Sequence, residues 1–144
     1  MSDFRRLSGT MYASPQITTA DLAEALSLGV RLVINNRPEG EADDQTPGAE
    51  IEAAARAAGM DYKAIPIVMA TLGDGELSAM AEAIGGADGP VLAYCRSGTR
   101  STLLWALAQA RAGMDPDTIA SAAAAAGYDV SPIRPAMDAY SAQP

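Results

Sequence analysis

The sequence predicts an α/β fold, with a central, mostly parallel sheet of about four to five strands flanked by helices and a helical C-terminal tail. Short apolar runs that indicate strands alternate with longer, capped runs typical of helices. Such alternation is the pattern of a parallel sheet with helices on its faces. The run VLAY has no charged residue, as expected for a central strand that is buried on both faces. The 144 residues predict a single domain, residues 1–144.

The first half of the chain predicts three strands and two helices. In order they are strand 9–14, helix 18–29, strand 31–35, helix 46–59 and strand 62–67. The first helix is indicated by Thr18 as N-cap, by Asp21 three residues later, and by a stripe of leucine and alanine that Gly29 ends. A Thr-Pro pair begins the second helix, with glutamates near its positive end. Pro66 cannot donate to a sheet ladder and therefore ends the third strand.

The second half predicts one strand and four helices. In order they are helix 75–84, strand 91–94, and helices 99–112, 115–127 and 131–140. Gly85 and Gly86 are predicted to stop the first of these helices. Asp115 and Pro116 form an N-cap and first-turn pair for the third, and a Ser-Pro pair begins the last.

Composition and charge exclude several classes of function. The net charge of −8 argues against nucleic acid or an anionic membrane as a partner. The absence of histidine excludes a Ser-His-Asp triad, a Cys-His dyad and His-ligated metal sites, and the single cysteine excludes a zinc ribbon. We therefore predict no metal and no cofactor. The N-terminal MSDFRRLSGT lacks the apolar run of a signal peptide, which predicts a cytoplasmic protein whose thiol stays reduced.

The one cysteine, Cys95, directly follows the predicted central strand, where ligands bind in parallel sheets. Because the chain turns there from strand into helix, several N–H groups lack an intrahelical partner and can form an anion nest. We therefore predict that Cys95 is a thiolate near neutral pH and the catalytic nucleophile. Arg100 is predicted to hold an oxyanion by two hydrogen bonds. The other predicted anion-binding residues of this loop are Arg96, Ser97, Gly98, Thr99 and Ser101. An anion-binding turn with an incidental cysteine is the alternative.

The loop YCRSGTRS resembles the active-site loop of rhodanese-type sulfurtransferases, and its order of Cys, loop and Arg is shared with cysteine-dependent protein phosphatases. Over residues 4–140 the chain resembles the beta-lactamase-hydrolase-like family, through ITTADLAEALSLGVRLVINNRPEGE, AAARAAGMDYKAIPI, GPVLAYCRSGTRSTLLWAL and AAAAAGYDVSPIRP. The resemblance implies a fold similar to dual-specificity phosphatases, with phosphatase or sulfurtransferase activity. Some members are fused to a metal-dependent persulfide dioxygenase domain, for which this sequence has neither the length nor the histidines.

Loop length bears on the choice between the two activities. The phosphatase pattern places five residues between Cys and Arg, whereas four separate Cys95 from Arg100. A shorter loop encloses a smaller ring of N–H donors, and a terminal sulfur needs less room than a phosphoryl group. The count therefore favours a persulfide on Cys95, although Arg96 could also reach an oxyanion.

Three further residues have two interpretations each. Asp74, in ATLGDGEL, is either the general acid that a phosphatase needs or the cap of the helix that follows. Ser101 either steadies the thiolate, as resembling phosphatases imply for the hydroxyl after the Arg, or bonds to backbone in the first helical turn. Arg37, in the loop NNRPEGE, either contacts the incoming anion together with Asn35 or belongs to an ordinary turn. In that second interpretation the carboxylates of the loop are solvated: Glu39, Glu41, Asp43 and Asp44.

The leading prediction is a small rhodanese-like sulfurtransferase that takes a sulfane sulfur onto Cys95 and yields it to a nucleophile. Its predicted partners are a small anionic sulfur donor and a thiol acceptor, and alanine-rich helices leave a homo-oligomer open. One alternative is a cysteine-dependent phosphatase that hydrolyses a phosphoester through a phosphocysteine. The other is a non-catalytic module that binds an anion or a persulfidated partner.

Overall fold

A five-stranded sheet forms the middle layer of the molecule, with strands in the order β1-β2-β5-β3-β4. The computed structural model describes residues 2–143. The strands are β1 (Arg5–Ser8), β2 (Met11–Ser14), β3 (Leu32–Asn35), β4 (Asp61–Ala64) and β5 (Val91–Tyr94). Only β1 and β2 run antiparallel among these pairs; β2, β5, β3 and β4 are mutually parallel. The prediction of a mostly parallel sheet of four to five strands is confirmed.

Helices cover both faces of the sheet. They are α1 (Leu22–Ser27), α2 (Gly48–Ala57), α3 (Asp74–Gly86), α4 (Thr99–Arg111), α5 (Pro116–Ala125) and α6 (Arg134–Ser141). Single 3-10 turns span Thr19–Asp21, Met69–Thr71 and Ser131–Ile133. Residues of α3 to α6 pack on one sheet face around Trp105, which is 1% exposed, and residues of α1 and α2 pack on the other. Among the described residues, no helix combines the length and the apolar character that crossing a membrane requires.

Several elements differ from the sequence predictions. Strand β4 ends at Ala64, before Pro66, and the last predicted helix begins with the 3-10 turn Ser131–Ile133. Strand β1 was not predicted, because RRLS is polar apart from Leu7, the one buried position of this edge strand. The helix α3 continues through Gly85 and Gly86, since Ile84 and neighbouring alanines pack against the main core and outweigh the weak helix propensity of glycine. The helix predicted from Thr18 begins as a 3-10 turn and ends at Ser27.

The topology brings three strand ends together. Strand β5 lies between β2 and β3, so that Ala93 is level with Ala13 on one side and with Ile34 on the other. Beyond the strands, the Cys95 N–H donates to the Ser14 carbonyl at 3.3 Å. The residues that follow β5 are therefore fixed at the centre of the carboxyl edge of the sheet, which is the position that the sequence predicts for the site.

Candidate active site

The loop between β5 and α4 runs from Cys95 to Gly98, which is the N-cap residue of α4. Gly98 has a φ of +92°, in the left-handed region that favours glycine. A Cβ on Gly98 would also overlap the Tyr128 hydroxyl and would lie 3.2 Å from the Ser14 carbonyl carbon. Both the backbone conformation and the space therefore require glycine here.

The carbonyl groups of the loop are held by the rest of the protein. The Arg96 carbonyl accepts from the Gln16 N–H at 3.2 Å, and the Ser97 carbonyl accepts from the Tyr128 hydroxyl at 3.1 Å. The Gly98 carbonyl accepts from the N–H and the hydroxyl of Thr102, at 3.0 and 2.9 Å. In a trans peptide the N–H points opposite to the carbonyl, so the N–H groups that follow are turned to the other side.

One N–H group of the loop bonds to the thiol, and most of the others are free. Cys95 is buried, and its sulfur accepts a hydrogen bond from the Gly98 N–H at 3.1 Å. Within residues 2–143, the N–H groups of four other residues donate to no protein acceptor: Arg96, Ser97, Arg100 and Ser101. Such a set of unpaired amides at a helix N-terminus stabilises an anion.

Arg100 reaches the site from the first turn of α4 and is held by a carboxylate. Its Nη1 and Nη2 each donate to an oxygen of Glu41 at 2.7 Å, and Nη1 also donates to the Ile67 carbonyl at 3.1 Å. The hydrogen bonds to Glu41, together with the charge of Cys95, raise the pKa of the Arg100 guanidinium. Arg100 therefore lies beside the thiol as a guanidinium cation. Both of its terminal nitrogens, Nη1 and Nη2, already donate to Glu41.

Glu41 connects Arg100 to the second predicted arginine. Arg37 is buried, and it donates from Nε to Glu41 Oε1 at 3.0 Å and from Nη1 to Gln16 Oε1 at 3.0 Å. The hydrogen bonds from Arg100 and then from Arg37 lower the pKa of Glu41 from 4.5 to about 2. The carboxylate is therefore ionised at any pH near neutral, and the pair of arginines and one glutamate carries a net positive charge.

The four carboxylates of this loop are exposed, as the turn interpretation expects, but two of them also hold hydrogen bonds to other parts of the protein. Glu41 forms the bridge just described, and Glu39 accepts from the Gly48 N–H at 2.8 Å, at the first residue of α2. No local sequence spacing indicates that Glu41 pairs with Arg100, because the two residues lie 59 positions apart in the chain.

The remaining predicted residues of the loop differ in their exposure and in their hydrogen bonds. The Arg96 side chain is exposed. Ser97 and Thr99 bond to each other, with 3.0 Å between their hydroxyl oxygens. Ser101 is fully buried, and its hydroxyl has no hydrogen-bond partner among the described residues, so the predicted bond to backbone is not formed.

Asp74 does not join the loop. It is the first residue of α3, where Gly73 is the N-cap, and its carboxylate lies 3.5 Å from the Tyr140 hydroxyl of α6. Asp74 is exposed and makes no hydrogen bond to residues 95–101. The segment that meets Arg100 is instead Ile67 and its neighbours, and the next two residues are the exposed, apolar Val68 and Met69. The cap that was the alternative for Asp74 is not formed by its side chain either.

Tyr128, which sequence reasoning missed, binds the loop from the segment after α5. Its ring is stacked under the Arg5 guanidinium, 5.1 Å from the ring centroid.

Within residues 2–143, no group of three or more His, Cys, Asp or Glu side chains is placed to hold a metal ion.

Comparison with known sequences identifies relatives of the chain. The family model described as "Beta-lactamase hydrolase-like protein, phosphatase-like domain" matches residues 3–112. The beta-lactamase hydrolase-like protein of Xylella fastidiosa is 36% identical over 119 residues, which cover 81% of this chain and 27% of that protein. The protein of the same name from Agrobacterium fabrum is 34% identical over 108 residues, or 75% and 25% of the two chains. The chain thus spans about a quarter of the length of these relatives.

Solved structures are similar over the whole fold. A candidate phosphatase from Neisseria meningitidis Z2491 has a TM-score of 0.86 and 34% identity, and the match covers 97% of this chain and 99% of that one. TpbA of P. aeruginosa has a TM-score of 0.63 and 23% identity, covering 95% and 91%. PTPMT1, solved with PI(5)P, has a TM-score of 0.70 and 16% identity, covering 96% and 97%. The last two likenesses concern the fold alone.

These relatives confirm the resemblance and the phosphatase-like fold that the sequence predicts. They favour the phosphatase alternative over sulfur transfer, because the family model describes a phosphatase-like domain and the Neisseria protein is a candidate phosphatase. None of the relatives named above carries a name that refers to sulfur transfer.

Proposed function

We propose that this chain, which belongs to the family of beta-lactamase hydrolase-like proteins through its phosphatase-like domain, transfers sulfane sulfur through a persulfide on Cys95. One observation carries the proposal: the carboxylate that reaches the site, Glu41, is held ionised by two arginines and has no proton to give. Hydrolysis of an unactivated phosphate monoester needs a proton for the leaving oxygen. Sulfur transfer from a persulfide or thiosulfate needs only a good leaving group, which departs as an anion.

The reaction has two balanced steps. The Cys95 thiolate attacks the outer sulfur of a donor, a new S–S bond forms, and the bonding pair of the old S–S bond leaves with the donor as a thiolate or as sulfite. An acceptor thiolate then attacks the terminal sulfur of the Cys95 persulfide, takes it as a new persulfide, and releases the Cys95 thiolate. No net oxidant or reductant is consumed.

The surroundings of the sulfur suit a small anion. The free N–H groups of the loop and the unpaired Ser101 hydroxyl can stabilise the negative terminal sulfur. The exposed Arg96 side chain can attract an anionic donor towards the loop, against the net charge of −8. We expect the protein to act in the cytoplasm, where a free thiol stays reduced.

A phosphatase is the second candidate, and the names of the relatives favour it. A variant of TpbA was solved with phosphotyrosine, and PTPMT1 with PI(5)P. In this chain the Cys95 thiolate would displace the leaving oxygen from phosphorus, and water would then hydrolyse the phosphocysteine. A proton would have to reach the leaving oxygen from Asp74, which lies outside the loop, or from solvent.

The two candidates are separated by parallel assays on the same protein. We expect intact-mass spectrometry, after treatment with thiosulfate or glutathione persulfide, to show one added sulfur atom on the wild type and none on Cys95→Ser. Transfer of that sulfur to a thiol, measured over several cycles, would support the proposal. Failure to form the adduct, combined with hydrolysis of an aryl phosphate that Cys95→Ser abolishes and Asp74→Asn lowers, would assign the phosphatase.

Two arginines of α4 provide a matched control. Arg100→Lys removes the planar fork beside the thiol and is expected to lower kcat/KM for the donor by about tenfold or more. Arg111→Lys changes the opposite end of the same helix, where the guanidinium bonds to Ser78, and is expected to leave kcat/KM unchanged. Binding of anions that survives Cys95→Ser, without turnover of either substrate class, would indicate a binding module instead.

A further inference from the structure

One peptide unit joins Tyr128 to the thiol. The carbonyl of Ser97 accepts from the Tyr128 hydroxyl at 3.1 Å, and the N–H of the same peptide, on Gly98, donates to the Cys95 sulfur at 3.1 Å. The two hydrogen bonds therefore lie at opposite ends of a single planar group and form one chain from hydroxyl to sulfur.

We infer that Tyr128 is a positioning residue, whose hydroxyl holds the peptide between Ser97 and Gly98 with its N–H on the Cys95 sulfur and so stabilises the thiolate. Hydrogen bonds in series polarise one another, so a donor on the carbonyl makes the N–H of the same peptide a stronger donor. The bond also resists rotation of this peptide, which the freedom of Gly98 would otherwise allow. The inference rests on the proposed function only in that Cys95 is the nucleophile.

Tyr128 is itself fixed by contacts from three directions. Its N–H donates to the Ala123 carbonyl at 2.9 Å, immediately after α5. The Arg5 guanidinium lies over the ring and donates to the Ala126 carbonyl at 3.2 Å. Because Gly98 has no side chain, the hydroxyl can approach the loop closely enough to bond to Ser97.

The surrounding charges keep the hydroxyl a donor. Burial, and then the charge of Cys95, raise the pKa of Tyr128, while Arg5 opposes them, so the phenol stays protonated at neutral pH. The charged groups around this chain of bonds are Arg100 from α4, Glu41 from the loop after β3, and Arg5 and Asp3 from the N-terminal segment. Replacement of the Tyr128 hydroxyl changes none of these groups.

The variant Tyr128→Phe tests the inference, because it keeps the ring and removes one hydroxyl. Cys95 is the only cysteine, so the rate of alkylation by iodoacetamide, measured as a function of pH, reports on its thiolate alone. We expect the midpoint of the thiolate titration to rise by about 0.5–1 pH unit, and the alkylation rate below that midpoint to fall about three- to tenfold. Tyr140→Phe, whose hydroxyl meets Asp74 on α3, is expected to match the wild type.

A second readout follows the peptide directly. In protein labelled with ¹⁵N-glycine, the Gly98 amide proton is expected to move downfield as the thiol ionises, and to move less in Tyr128→Phe. An unchanged titration midpoint together with an unchanged Gly98 response would overturn the inference, even if Tyr128→Phe lowered the thermal stability. Neither measurement uses a substrate, so the positioning role and the proposed function can fail separately.

Discussion

Replacing Glu41 by glutamine tests whether this carboxylate holds the site together. The change keeps the shape of the side chain but removes the negative charge between Arg37 and Arg100. The two guanidinium groups would then face each other across a neutral amide. We therefore expect Glu41→Gln to lower the free energy of unfolding at neutral pH.

The magnitude follows from the pKa of Glu41. Lowering it from 4.5 to about 2 corresponds to about 3.4 kcal/mol, at 1.36 kcal/mol per pKa unit. The side chain is 29% exposed, so screening by solvent reduces this to about 1–2 kcal/mol. Because the pKa of Glu41 is lower in the folded state, the stabilisation is complete above pH 4.5 and is lost as the pH falls towards 2.

Urea denaturation of both proteins at pH 7, 5, 4 and 3 measures this effect. The wild type is expected to exceed Glu41→Gln by about 1–2 kcal/mol at pH 7, and by less than half of that at pH 3. Glu52→Gln is the control, because Glu52 forms an exposed pair with Arg56 at 3.0 Å and is expected to lose at most about 0.5 kcal/mol. A difference between wild type and Glu41→Gln that stays constant from pH 7 to pH 3 would refute the reasoning.

Three further predictions concern the loop and the core. Glu41→Gln is expected to let inorganic phosphate protect Cys95 from alkylation at a several-fold lower concentration, since one of the two Arg100 donors loses its acceptor and the competing negative charge is removed; equal protection would contradict this. Gly98→Ala is expected to lose about 1–3 kcal/mol of stability, because of the positive φ and the overlap with the tyrosine hydroxyl, and wild-type stability in urea would argue against that geometry. Trp105→Ala is expected to lose about 3–5 kcal/mol, whereas Met69→Ala, at an exposed position, should be nearly neutral in the same assay.

The strands that hold the site could be predicted because strands buried on both faces consist almost entirely of uncharged, apolar residues, which are visible in the sequence. Strands β3 and β5 are buried at every position, and their apolar runs identify them without knowledge of their neighbours. The edge strand β1 has one buried residue, Leu7, and forms because it pairs with β2, which its own composition does not indicate. The glycines at the end of α3 illustrate the same point, since their place in the helix depends on what Ile84 packs against.

The loop of the site could be predicted because its residues are contiguous, whereas the groups that hold it could not. Cys95 and Gly98 lie three residues apart, and their bond follows from the turn between strand and helix. Tyr128 lies 31 residues beyond Ser97, and Glu41 lies 59 residues before Arg100. These contacts exist only because the fold brings a helical tail and a strand-end loop to one edge of the sheet.

The absence of histidine has a consequence for the pH dependence of the reaction. Where an imidazolium stabilises a thiolate, activity falls again at high pH as the imidazolium loses its proton. Here the groups next to the Cys95 sulfur are the Gly98 N–H, which does not titrate, and Arg100, and the pKa values of Arg100 and Tyr128 are raised. We therefore expect kcat/KM for sulfur transfer, measured with an acceptor that is fully ionised throughout, to rise as Cys95 ionises and then to stay level up to about pH 9. A bell-shaped profile that falls between pH 7 and pH 9 would mean that another group in the site must keep its proton, and the thiolate would then depend on more than the backbone and the arginine fork.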